Sequence, residues 1–444
     1  MDRRALPLVL GLLTCACAPG AVSDAEEGET EGETEGSDED VGEDEAETET
    51  ETETEGAPVD ACSFADPALR AVVADDLGLS EGEAITAEAA ASLSAVNGGL
   101  LAGVSDLSGI ECLVNLEELR LVEGSIVDLS PLVSLGELTR VELGYNAIVD
   151  LSPLAELPAL EWVGLNDNQI ESLAALVDLA ALDYVDVRNN PIPAVEGLTG
   201  LSALTGLDLS GTQLSSLDGL PTIPTLESLY LSDTPLTDLS SLPEEPALMN
   251  LVAMDCALSS LALPHAYPEL SILRVGGNEL TSIAALDPAL TPGLEHLHVD
   301  ENGLTEIAVL ASLPALRVVN ANLNAITDLS PLAELQELEE VSLIANGVSD
   351  LTGLADVARL HLRDNAIVDV APLHGDEPEV ITYLDLRQNP LSDGEAVAAL
   401  PIQPCAELWI DEATLGPGGA APICQQEVVV NWDCNFEECG LGGG

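Results

Sequence analysis

The stretch Leu160-Glu-Trp-Val163-Gly-Leu165-Asn-Asp-Asn168-Gln-Ile170 returns 22 residues later as Leu182-Asp-Tyr-Val185-Asp-Val187-Arg-Asn-Asn190-Pro-Ile192. Apolar residues hold positions one, four, six and eleven of this frame, and Asn holds position nine. Side chains alternate across a strand, so positions four and six point to one face of a short extended segment. The frame opens at Leu116, Leu138, Leu160, Leu182, Leu204, Leu226, Leu248, Leu270, Leu294, Leu316, Leu338, Val357 and Ile381, thirteen copies over about 280 residues. A fixed period sustained this far implies stacked coils, none of which can bury its apolar face alone.

Each position then acquires a physical task. Parallel strands stacked at about 4.8 Å would give thirteen coils a sheet roughly 60 Å long. The Asn at position nine turns inward, where its amide can bond backbone groups that no strand ladder reaches. Asn146, Asn168, Asn190, Asn278, Asn302, Asn324, Asn346, Asn365 and Asn389 occupy it, while Gly124, Thr212, Thr234 and Cys256 replace it. Cys256 is therefore expected as a buried structural thiol. The second half of the repeat reads Asp128-Leu-Ser-Pro131-Leu, again from Asp150 and Asp328 and more loosely from Asp369. Ser before Pro predicts the start of a helical turn, the hydroxyl capping it and Pro taking its first position. Only about ten residues remain to close each coil, which suits a short 3₁₀ turn. These Asp and Ser side chains are read as structural rather than catalytic.

The spacing L-x-x-L-x-L-x-x-N-x-L resembles the leucine-rich repeat. The fold expected is an α/β solenoid: a horseshoe with a parallel concave sheet, short 3₁₀ convex turns, a helical N-cap and a disulfide-closed C-cap. Caps are needed because terminal repeats otherwise expose the apolar interior. Asp66–Leu77 and Thr86–Leu93 read as two short helices, and Val104–Ile110 as the tail of an incomplete repeat. Residues 60–115 then form the N-cap, 116–395 the array, and 396–444 a Cys-containing cap and tail. This cap, followed by 22-residue repeats with Asp-Leu-Ser-Pro-Leu turns, resembles the internalin type of bacterial leucine-rich-repeat protein from about Cys62 to Leu391. The resemblance implies an extracellular binding protein without enzymatic activity. The chain departs from that type in lacking Lys, in carrying no recognisable wall anchor after the array and in its acidic N-terminal tract, so host-cell adhesion does not carry over.

Cysteine placement fits the plan. Cys62 and Cys112 sit at the two ends of the N-cap, where a disulfide would pin the cap to the first repeat. Cys405, Cys424, Cys434 and Cys439 crowd into the C-terminal segment, where two bridges could form in any of three pairings. Zinc is the rival reading of those four, but spacings of 18, 9 and 4 intervening residues with no CxxC count against it.

The first 17 residues read as an export signal, with Arg3 and Arg4, the apolar run Leu6–Leu13 and a small-residue exit at Thr14-Cys15-Ala16-Cys17. The run is too short to span a bilayer. The segment resembles a bacterial lipoprotein signal, which implies an acylated Cys at the mature N-terminus. Cys17 follows the small Ala16, and Cys15 has Leu12 three residues before it, so both are lipidation candidates. Plain secretion is the other outcome. Residues 18–59 carry eighteen carboxylates between Asp24 and Glu55 and almost no apolar side chain. Such a tract cannot offset its ordering entropy and is expected as a disordered, self-repelling linker.

Composition narrows function. The 444 residues hold 80 acidic side chains against 11 basic ones, all Arg, for a formal net charge of -69. A phosphate backbone would be repelled, which excludes a nucleic-acid partner. A mean hydropathy of +0.25 beside so much acid leaves enough apolar residues for a long core. No phosphate-cradling loop, HExxH or Gly-x-Ser-x-Gly elbow occurs. No cofactor and no metal site is expected; His296 and His298 share a strand face, but the acids beside them are explained as surface residues.

The scarce cations and aromatics are sorted. Positions two, three, five, seven and eight of the frame face the concave side or its margins, and all eight Arg of the array fall there: Arg120, Arg140, Arg188, Arg274, Arg317, Arg359, Arg363 and Arg387. Tyr145, Trp162, Tyr184, Tyr230, Tyr383, His296, His298 and His361 do likewise. Cross-strand pairing such as Arg120 with Glu142 accounts for part of the pattern but not for the aromatics. Exposed Tyr, Trp and Arg are the residues enriched in binding hot spots. The expected function is a non-enzymatic surface or secreted recognition protein, monomeric and touching membrane only through its lipid, whose concave face takes a protein or glycan. A structural envelope spacer with no ligand is the alternative.

Overall fold

The computed structural model describes residues 61–80, 82–99, 103–374, 381–391, 396–397, 399–411 and 429–430. The export signal, Cys15, Cys17, the acidic linker and the side chains of Cys405, Cys424, Cys434 and Cys439 lie outside them. Two helices open the described chain, Pro67–Asp76 (α1) and Ala87–Ser92 (α2), as their sequences predict. Asp66 caps α1 by accepting the Ala68 N–H at 2.7 Å, and its other oxygen takes the Ser105 N–H at 2.7 Å, tying the helix to the loop ahead of the first repeat. Cys62 and Cys112 form the expected disulfide, with Cα atoms 5.8 Å apart.

Sixteen strands then follow in one parallel sheet, each paired with its sequence neighbours. They are β1 (Ala95–Asn97), β2 (Glu118–Arg120), β3 (Arg140–Glu142), β4 (Trp162–Gly164), β5 (Tyr184–Asp186), β6 (Gly206–Asp208), β7 (Ser228–Tyr230) and β8 (Asn250–Val252), continuing as β9 (Ile272–Arg274), β10 (His296–His298), β11 (Val318–Asn320), β12 (Glu340–Ser342), β13 (Arg359–His361), β14 (Ile381–Asp385), β15 (Ile402–Trp409) and β16 (Val429–Val430). The ladder starts inside the segment expected as N-cap and runs on into the segment expected as C-cap, beyond the thirteen strands the repeats predict. In β15, Leu408 lies opposite Leu384, so Ala406-Glu-Leu408-Trp-Ile410 repeats the apolar alternation.

Inside the coil, positions four and six are sealed from water: Val163, Leu165, Val185 and Val187 are all 0% exposed. Burial of each such side chain contributes about 1.5–3 kcal/mol. The position-nine Asn does what its spacing predicts. Asn168 Nδ2 donates to the carbonyls of Leu143 and Leu165, both at 3.0 Å, and its Oδ1 accepts the Ile148 N–H at 3.0 Å, stitching each coil to the previous one. Thr212 and Thr234 keep one of these bonds, to Leu209 and Leu231. Cys256 is a free thiol lying against Thr234 Oγ1 at 3.4 Å, half-buried rather than fully buried, and burial raises its pKa.

The convex turns are 3₁₀ where Ser-Pro occurs, at Ser130–Leu132, Ser152–Glu156 and Ser330–Glu334. The capping group differs from the one expected. Ser makes no cap; the Asp two residues earlier does, as Asp150 accepts the Ser152 N–H at 2.9 Å and its hydroxyl at 2.8 Å. A carboxylate takes both donors at once, whereas the Ser hydroxyl, itself a donor to Asp, is no longer free to fold back on the turn. These bonds hold the Asp150 and Asp328 carboxyls below their ordinary range. Among the described residues no helix is long and apolar enough to cross a membrane.

Candidate binding face

Because the strands stack in register, side chains at one repeat position form rows running across the sheet at about 4.8 Å intervals. The third-position row reads Glu118, Arg140, Trp162, Tyr184, Gly206. Flat groups with that spacing meet face to face. The Arg140 guanidinium lies 4.4 Å over the Trp162 ring, and Trp162 stacks on Tyr184 with centroids 4.2 Å apart and planes 13° from parallel. The phenol leans over Gly206, where a Cβ would sit 2.4 Å from the ring. A side chain there would push Tyr184 away.

The fifth-position row supplies charge beside this stack. Glu142 pairs with Arg120 at 2.9 Å and also with Arg140. Arg188 faces Asp186 at 3.3 Å and Asp208 at 3.9 Å. Arg120, Trp162, Asp186 and Arg188 line one open cleft of about 340 Å³, with Tyr145 at its rim. Tyr145 occupies position eight, where each of the thirteen repeats takes a left-handed backbone (φ 57 here), and its side chain is 55% exposed. Burial pushes the Asp186 carboxyl up to about 6 against the opposing pull of Arg188. Burial also raises the Tyr184 phenol, so it stays neutral and available as a donor.

A second cluster forms at the far end. His361 and Tyr383 lie 4.4 Å apart, Arg359 stands 5.5 Å over Tyr383, and Arg387 lies 4.7 Å over Trp409. Glu340 bonds Arg359 at 2.9 Å and lies 3.4 Å from His361, while Asp385 bonds Arg387 at 2.6 Å. Burial lowers the His361 pKa and Glu340 opposes that shift. Arg363 is exposed and bonds Gln388 at 2.5 Å. Tyr230, Arg274, His296 and His298 form a third group at mid-sheet, on β7, β9 and β10. The residues selected from sequence thus divide into three groups. Trp409 escaped that selection because its coil falls outside the thirteen registered repeats; the Leu408-Trp-Ile410 alternation was its one signal.

Six of the array's eight Arg meet a carboxylate: Arg120, Arg188, Arg317 and Arg359 reach one on a neighbouring coil, as cross-strand neutralisation expects, while Arg140 and Arg387 take one within their own coil. Exposed pairs of this kind add little stability. The stacked rings need another reason, since solvent-facing aromatics gain least where they are only half-covered. Among the described residues no group of three or more His, Cys, Asp or Glu stands close enough to hold a metal ion.

A family model for leucine-rich repeats (two copies) matches residues 202–244. The chain carries leucine-rich repeats. No curated protein sequence matches it. Among solved structures, an internalin (InlF) from Listeria monocytogenes is similar over 70% of this chain and 93% of its own, at 25% identity and a TM-score of 0.61. The functional domain of InlJ from Listeria monocytogenes, which includes a cysteine ladder, covers 76% of this chain and 78% of its own at 18% identity and a TM-score of 0.51. The Toll–Spatzle complex of Drosophila gives 21% identity and a TM-score of 0.53 over 68% of this chain and 48% of its own. The last two share the leucine-rich-repeat fold, and the first gives the solenoid its internalin-like cast.

Proposed function

We propose that this chain is a non-enzymatic recognition protein whose concave sheet binds a protein or glycan outside the cell. The Arg140–Trp162–Tyr184 stack carries the reading. Three large side chains fixed against one another on an open face lose little further freedom when a partner docks, which is how preorganised anchors raise affinity. Their planar faces are already engaged, so the partner would meet ring edges, the Tyr184 hydroxyl and the outer guanidinium nitrogens, and the cleft beside them would take a protruding group. The likeness to InlF supports the extracellular setting. Export through the 1–17 signal, acylation at Cys17 or Cys15 and a disordered acidic linker over 18–59 complete the proposal, placing the array beyond a membrane surface.

The test begins with the array lacking its acidic linker, used to capture partners from outer-surface or culture extracts beside a Trp162→Ala/Tyr184→Ala variant. Neither ring is an inward ladder residue, so the variant should keep the wild-type circular dichroism spectrum. Affinity for a captured partner should fall by about 2 kcal/mol or more, roughly 30-fold. A folded variant with unchanged affinity would remove this patch from the binding face.

A further inference from the structure

Arg274 differs from the other cations of the sheet face. Six sheet-face Arg have a carboxylate partner and Arg363 is exposed, but the guanidinium of half-buried Arg274 makes no ion pair or hydrogen bond with any described residue. Its Nε is shut off from water and bonds nothing. A partly desolvated guanidinium without a counter-charge is a cost that the fold leaves uncompensated. Directly across the ladder from Arg274, between β9 and β10, stands His298. Neither nitrogen of His298 bonds a described residue either.

The rows around this pair lack acid. From β7 to β11 the third positions are Ser228, Asn250, Ile272, His296 and Val318, and the fifth are Tyr230, Val252, Arg274, His298 and Asn320. Asp186 and Asp208 stand on the strands before this window and Glu340 on the strand after it. In a chain with 80 acidic side chains, the one Arg among the described residues that is both sheltered and unpaired sits where these two rows hold no carboxylate, and the nearby Asp300, at position seven, is taken by Asn320 at 3.0 Å.

We infer that Arg274 and His298 form an oxyanion-binding subsite at the centre of the concave face, which receives a carboxylate, sulfate or phosphate group of the bound partner. The missing counter-charge is what the ligand supplies: the outer guanidinium nitrogens give a planar fork to two oxygens, and a protonated His298 adds a third donor. The charged groups around His298 are Arg274 from β9, His296 on its own strand, Asp300 two residues further along its own coil and Glu340 from β12; β11 presents neutral Asn320, which donates to Asp300 at 3.0 Å. Burial first, then Arg274, pulls the His298 pKa down to about 4 in the free protein. An anion held by Arg274 would cancel part of that repulsion and move the His298 titration upward. The subsite extends the recognition function proposed above but lies on different strands from the Trp162–Tyr184 stack, so either can fail alone.

The experiment follows the His298 ring resonance by NMR, assigned with a His298→Gln variant, against pH in sodium chloride and then in acetate, sulfate or inorganic phosphate at equal ionic strength. Binding should raise the titration midpoint by about one pH unit or more, and Arg274→Gln should abolish the anion-dependent rise while Arg363→Gln keeps it. The anion giving the largest rise identifies whether the group is a carboxylate or a sulfate or phosphate ester. Midpoints identical in all four salts would overturn the subsite, as would an equal rise in folded Arg274→Gln. If Arg274→Gln does not fold, Arg274→Lys replaces it: a point charge without the fork should reduce the rise, and an undiminished rise counts against the proposal.

Discussion

Replacing Asn190 with Leu should destabilise the array by about 4 kcal/mol, more than any change on the sheet face. Asn190 is 2% exposed and donates to the carbonyls of Leu165 and Val187 at 2.9 Å, while its Oδ1 accepts the Ile170 N–H at 2.9 Å. Leu fits the volume but bonds none of them, and each buried backbone group left without a partner costs about 1–3 kcal/mol. Thr should cost roughly half as much, because the chain already shows the compromise at Thr212, whose hydroxyl keeps the bond to its own coil at 2.7 Å and gives up the bond to the coil before. Urea unfolding of wild type, Asn190→Thr and Asn190→Leu would give the order. Equal midpoints for Leu and wild type would mean that the amide ladder is ornamental.

That ladder was legible in the sequence because one residue type recurs at one spacing, and the solenoid was legible for the same reason. What the sequence concealed is whatever depends on two coils meeting. The frame opposed Arg120 to Glu142, but it did not show the Arg140 guanidinium reaching the same carboxylate while lying over Trp162 of the next coil. It put Trp162 and Tyr184 in adjacent coils without showing that Gly206 makes room for the ring beside it. At the left-handed position eight, seven of the thirteen repeats carry the Gly, Asn or Asp that favour it, but Glu123, Tyr145, Glu301, Leu323, Ala345 and Gln388 have no such preference. The ladder bond made there, such as the Tyr145 N–H to the Asn166 carbonyl at 2.9 Å, holds the conformation irrespective of the side chain. Turn capping was misassigned for a related reason: Asp and Ser are both good capping residues, and their order along the chain does not say which will donate.

A second concealed feature gives the other large expected effect, a stability difference of about 3 kcal/mol that develops as pH rises from about 4.5 to about 7. Three residues before each repeat's first apolar position runs a buried column: Leu157, Leu179, Leu201 and Ile223, then Glu245, Tyr267 and Thr291, then Leu313 and Leu335. Glu245 is 0% exposed. Its presence follows from the coil before it. Where the 3₁₀ turn exists, the column residue bonds within its own turn, as the Leu157 N–H does to Leu154 at 3.0 Å; between Leu220 and Ile223 no such turn forms, and both Glu245 oxygens accept the Ile223 N–H instead, at 2.9 and 3.0 Å. One hydrogen bond does not compensate for burying the charge, so the carboxyl is pushed up to about 7 from its ordinary value of 4.5. The folded state therefore holds this proton more tightly than the unfolded state. Its stabilising contribution is full below about pH 4.5 and is lost as pH rises to about 7. Glu245→Gln keeps an acceptor for Ile223 and cannot ionise. The two proteins should unfold at similar urea concentrations at pH 5, and at pH 8 the variant should be the more stable by about 3 kcal/mol. Comparing the pair at each pH removes the contribution of every other carboxylate, including Asp186, which acts with the same sign. Parallel pH profiles would show that Glu245 reaches water in solution and is not the buried acid of this column.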